Sequence, residues 1–73
     1  MRARGIDETA QRYVLNSVRG FLEGKKNDRW IKGVILHSGL PKERTLSVLQ
    51  PLRAYDNVDR AKFLFDWLDS TTW

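Results

Sequence analysis

Lys42, Glu43, Arg44, Ser47 and Gln50 fall within one nine-residue stretch that begins just after Gly39-Leu40-Pro41. Side chains of these types can read nucleic-acid base edges, since Lys and Arg pair with guanine, Gln with adenine and Glu with cytosine, and all but the Glu carboxylate can also donate to phosphate. A second cationic group, Lys25, Lys26, Arg29 and Lys32, lies some fifteen residues earlier. Its expected role is contact with backbone phosphates. Arg2 and Arg4, at the start of the chain, are expected to form a basic arm able to enter a minor groove.

The same inventory argues against catalysis. His37 is the sole histidine, there is no cysteine, and no acidic residue adjoins His37 to orient it as a general base. Ser38-Gly39 lacks the flanking pattern of a nucleophile elbow. Asp66 and Asp69 are spaced as a metal pair could be, but Trp67 and Leu68 between them point to a packed helix with a wet side. The glycines at 20, 24 and 33 are too scattered for a phosphate-cradling loop. The expectation is a protein that binds, with no enzymatic activity, no cofactor and no metal.

Four segments must position these residues. Ala10, Tyr13, Val14, Ser17, Val18, Phe21 and Leu22 recur at the spacing of one helical face, with Asp7 as the expected N-cap and Gly24 as the stop. Asn27 or Asp28 can cap a second helix with Trp30, Ile31, Val34 and Ile35 on its apolar side and Gly39 at its end. Pro41 suits the start of a third helix carrying Leu46, Val48, Leu49 and Leu52. Pro51 then ends that helix near Leu49 or kinks it through Tyr55. After Asp56-Asn57-Val58-Asp59, Ala61, Phe63, Leu64, Trp67 and Leu68 mark a fourth helix. The fold class expected is all-α, a small three- to four-helix bundle. Its rival is α+β with short strands at 30–37 and 61–67, where β-branched residues and an alternating Phe63, Phe65, Trp67 also suit a strand.

The stretch from Val34 to Leu52 resembles the helix-turn-helix of winged-helix DNA-binding regulators. Gly39 and Leu40 match the bend, Thr45, Val48, Leu49 and Leu52 match the apolar anchors beyond it, and Val58 stands where those domains place the residue entering their wing. What the resemblance implies is a recognition helix opening with Lys42, Glu43 and Arg44 and directed at duplex DNA. Two features depart from the pattern: Pro51 interrupts the recognition helix, and nothing after Val58 reads as paired wing strands. An all-helical variant is therefore the form to expect.

At 73 residues the chain is a single domain, with 1–5 the basic arm and 70–73 a frayed tail. A domain this small buries only about 60% of its unfolded-chain surface, so a homodimer or another partner is one route to added stability. The net charge of +4 is uneven: residues 1–53 carry 11 Lys and Arg against five acidic residues, and the remainder two against four. Such polarity turns one end toward a polyanion. No apolar run is long enough to span a membrane and the opening residues do not read as a signal peptide, so a cytoplasmic location is expected. Phe65 and Trp73 fall off the predicted apolar faces and are candidate anchors for a protein partner. They support an alternative function, a small protein, such as a phage-encoded one, that binds and modulates a larger assembly of the RNA polymerase type.

Overall fold

Each of the four segments folds as a helix, and the local chemistry shows why. The structure, a computed structural model, describes the backbone of residues 2–72 and side chains from residue 8 onward. Helix α1 spans Arg2–Leu22, α2 Asp28–His37, α3 Lys42–Leu49 and α4 Val58–Ser70, with a 3-10 segment at Gln50–Ala54 following α3 directly. The protein is all-α, with no strand among the described residues. Residues 30–37 and 61–67, for which strands were the rival expectation, lie within α2 and α4. Each of these helices is set by an asparagine N-cap: the Asn27 side chain accepts from the Trp30 amide at 2.8 Å, and that of Asn57 from the Arg60 amide at 3.2 Å. In α2 the β-branched residues Ile31 and Ile35 recur at helical spacing and are fully buried. Tertiary burial outweighs their mild preference for strands.

Helix α1 begins at Arg2, ahead of the expected cap at Asp7, so its range includes residues expected to form an arm. The side chains of Arg2 and Arg4, and Trp73 as a whole, lie outside the described residues. Val14, Ser17, Val18, Phe21 and Leu22 form the buried stripe of α1, which packs against α2, α3 and α4. Tyr13, expected in that stripe, is 55% exposed. The stripe is centred on Val14 and Val18, and Tyr13 is rotated about 100° from Val14, off its edge.

Gly24 and Gly39 end α1 and α2, and both adopt left-handed backbone, with φ of 85° and 80°. Only glycine takes that conformation without strain. Pro51 ends α3. Its ring cannot supply the amide that would continue the α-helix, and the chain tightens into the 3-10 segment, the Gln50 amide bonding to the Ser47 carbonyl.

Phe65 was expected on the surface and is instead 3% exposed. The buried stripe of α4 is Ala61, Leu64, Phe65 and Leu68, at i, i+3, i+4 and i+7, while Phe63 and Trp67 are half-buried on its flank. The 3-10 segment packs on the Phe65 side of α4, and the Arg53 guanidinium lies over the Phe65 ring at 4.6 Å. Ala61, Leu64 and Leu68 are buried as expected, and the 3-10 segment turns the stripe toward Phe65 and away from Phe63 and Trp67. Val58 opens α4 and is 69% exposed, at the point where the resemblance places entry into a wing.

Candidate nucleic-acid interface

Residues 38–41 join α2 to α3, and side chains on both sides fix this corner. The Ser38 hydroxyl donates to the Ile35 carbonyl at 2.7 Å and accepts from the Leu40 amide at 3.2 Å, so one side chain stitches the end of α2 to the turn. Gly39 reverses the chain in its left-handed conformation, and Leu40 drops into the core. Thr45 and Leu49, on the inner side of α3, are fully buried. The Thr45 hydroxyl bonds back to the Pro41 carbonyl at 3.1 Å, so its own burial leaves no unsatisfied donor.

The outer side of α3 is thereby determined. Glu43, Arg44, Ser47 and Gln50 are all exposed, and Glu43, Ser47 and Gln50 follow one another at i, i+4 and i+7. Lys42 faces elsewhere. It is half-buried, and its ammonium donates to the Asp69 carbonyl in the last turn of α4 at 3.1 Å. Arg44, two residues later, is rotated about 200° around the helix axis. Lys42 and Arg44 are therefore not a side-by-side pair on one face. Pro41 provides no side-chain cap for α3, in contrast to the asparagines of α2 and α4.

Lys25, Lys26 and Arg29 are exposed together where α1 turns into α2. Lys25 pairs with Glu23 at 3.1 Å, and Lys26 lies over the Trp30 ring at 5.2 Å. Lys32 is separate from them. It is half-buried, with its ammonium over the rings of Phe63 and Trp67 at 5.0 and 5.8 Å. Its charge is spent mainly on joining α2 to α4.

Arg60 and Arg53 organise the candidate site, although in the sequence neither stands out beyond its charge. The Arg60 guanidinium donates to the carbonyls of Phe21 and Lys26 at 3.0 and 2.9 Å and stacks over the Phe21 ring at 4.9 Å. It holds the cationic corner in place. Contacts from Arg60 to Lys26, from Phe63 and Trp67 to Lys32, and from Asp69 to Lys42 occur in chain order. Successive turns of α4 thus meet the α1–α2 turn, the middle of α2 and the start of α3. Arg53 extends the outer side of α3 by one turn, and a cation one turn after Gln50 was the available signal for it.

Asp56, Asp59, Asp66 and Asp69 are all exposed at or within α4, away from the cationic corner in sequence. No protein-family model, curated protein or solved structure matches this chain. Among the described residues, no three His, Cys, Asp or Glu side chains come together to hold a metal, and no helix is long and apolar enough to cross a membrane.

Proposed function

We propose that this chain is a small nucleic-acid-binding domain that offers the outer face of α3 to duplex DNA as a helix-turn-helix does, and so serves as a regulator of transcription. The observation that carries the reading is the α2–α3 corner. Leu40, Thr45 and Leu49 hold α3 from behind, and its outward residues are the hydrogen-bonding set Glu43, Arg44, Ser47 and Gln50. A helix held from behind, with polar side chains facing out and a proline at its N-cap, is suited to a groove lined by phosphates. In this arrangement Arg44, Ser47 and Gln50 meet base edges or the nearest phosphates. Lys25, Lys26 and Arg29 supply sequence-independent attraction from the α1–α2 corner. Lys42 and Lys32 serve chiefly to hold α3 and α2 on α4.

Fluorescence anisotropy with a labelled random duplex, titrated between 50 and 200 mM salt, tests the reading. Affinity should fall with a log–log slope of about −0.9 for each phosphate engaged. On a duplex selected from the random pool, Arg44→Ala with Gln50→Ala should weaken binding by about 1–3 kcal/mol per lost base contact. Binding that ignores both the salt and the double substitution would reject the reading.

A further inference from the structure

We infer that Arg53 is a phosphate contact at the trailing end of the α3 surface, and that the Asp69 carboxylate occupies its place in the free protein as an internal stand-in for phosphate. The inference rests on the nucleic-acid reading of α3 and adds a residue and a means of regulation to it.

Three features of Arg53 carry the argument. Its guanidinium carbon lies over the Phe65 ring, 4.6 Å from the centroid, so a buried aromatic fixes where the charge sits. Its Nε meets the Gln50 side-chain oxygen at 3.4 Å, and its Nη2 meets the Asp69 carboxylate at 3.8 Å. These two nitrogens share the edge of the guanidinium that grips a carboxylate or a phosphate with two parallel hydrogen bonds. Both contacts are long, and the Arg53 and Asp69 side chains are 44% and 58% exposed. An exposed pair at this distance is weak. A phosphate approaching α3 would meet a cation already aimed, held by a partner that is easily displaced.

Gln50 links Arg53 to the proposed base-reading face. While it accepts from Arg53, its side-chain oxygen is engaged. Transfer of Arg53 to a phosphate releases Gln50 to present its amide to a base, so backbone contact and base contact become coupled. Asp69 can lose its carboxylate without loosening α3, because Lys42 bonds to its main-chain carbonyl.

Duplex binding by the full chain, measured as a double-mutant cycle over a range of salt, tests the inference. Arg53→Ala should lower affinity about tenfold and reduce the salt slope by about one phosphate equivalent. Asp69→Asn should raise affinity about two- to fivefold. The gain should vanish in the Arg53→Ala background, and Asp66→Asn, one turn away on α4, should give a smaller gain. Circular dichroism of each variant confirms that it is folded. If Asp69→Asn helps equally with and without Arg53, the effect is general charge and the inference is overturned. It is also overturned if Arg53→Ala leaves the salt slope unchanged while the wild-type chain binds duplex normally. If the wild-type chain shows no salt-sensitive binding, the reading of α3 falls first and this inference with it.

Discussion

The Lys42 ammonium sits 3.1 Å from the main-chain oxygen of Asp69, which ties the first turn of α3 to the last turn of α4. A cation at the carbonyl end of a helix is favourable both as a hydrogen-bond donor and as the counter-charge to the helix dipole. Lys42→Ala should therefore destabilise the fold by about 0.5–1.5 kcal/mol, read as a lower urea midpoint at constant m-value. Its effect on duplex affinity should be smaller than that of Arg44→Ala, although Lys42 is the residue nearer the helix start. An affinity loss from Lys42→Ala that exceeds the loss from Arg44→Ala would show that the ammonium leaves α4 to meet nucleic acid.

Arg60 is the more demanding anchor. One guanidinium satisfies the carbonyls of Phe21 and Lys26 and covers the Phe21 ring. Arg60→Ala should cost about 2–3 kcal/mol, because hydrogen bonds to a charged donor are stronger than neutral ones. Arg60→Lys should recover less than half of that, since an ammonium has neither the planar fork nor the stacking face. Equal stability of the Lys variant and the wild type in urea would contradict this account.

Two glycines should respond to alanine in opposite directions. Gly33 lies within α2 with open space around the position of an added Cβ, so Gly33→Ala should stabilise by about 0.5–1 kcal/mol. Gly39 has equally open space but a φ of 80°, and Gly39→Ala should destabilise by about 1–2 kcal/mol through backbone strain alone. For a domain of this size each kcal/mol moves the thermal midpoint by about 4–8 °C, well within the reach of a melting curve. Shifts of the same sign would show that the left-handed turn is not required.

The parts of this fold legible in the sequence are those governed by local chemistry. Gly24 and Gly39 as stops are properties of a residue and its immediate neighbours, and so is the placing of caps at 27–28 and 56–59 and of a disturbance at Pro51; the structure selects Asn27, Asn57 and a break after Leu49. The misplaced residues, Phe65 and Tyr13, were misplaced for a tertiary reason. A helix has one buried stripe, and its exact direction depends on what packs there; the 3-10 segment draws the stripe of α4 toward Phe65. The candidate site divides in the same way. Arg44, Ser47 and Gln50 face outward because Thr45 and Leu49 face inward, a relation visible in helical spacing. That Lys42 and Lys32 turn toward α4 depends on where partners 27 and 31 residues later lie, which spacing within α2 and α3 does not reveal.

The contact between Tyr55 and Glu23 should give stability a pH dependence at both ends of the scale. The Tyr55 hydroxyl donates to the Glu23 carboxylate at 3.0 Å, joining the residue after the 3-10 segment to the end of α1. Hydrogen bonding from Lys25 and then from Tyr55, with the charge of Lys25, holds the Glu23 carboxyl below the usual carboxylate range. The same hydrogen bond to Glu23 raises the Tyr55 phenol above its ordinary value. A lowered acid stabilises the fold above its unfolded-state pKa, and that contribution is lost as pH falls through the folded value. A raised phenol contributes below its unfolded-state pKa, and that contribution is lost as pH rises through the folded value. The difference in thermal midpoint between the wild type and Tyr55→Phe should therefore be greatest from neutral to mildly alkaline pH. It should shrink in acid as Glu23 takes up a proton and shrink again in strong alkali as Tyr55 gives one up. Glu23→Gln should flatten the acid limb. A difference constant from acid to alkali would mean that Tyr55 supports the fold by packing alone and that its hydroxyl contributes nothing through Glu23.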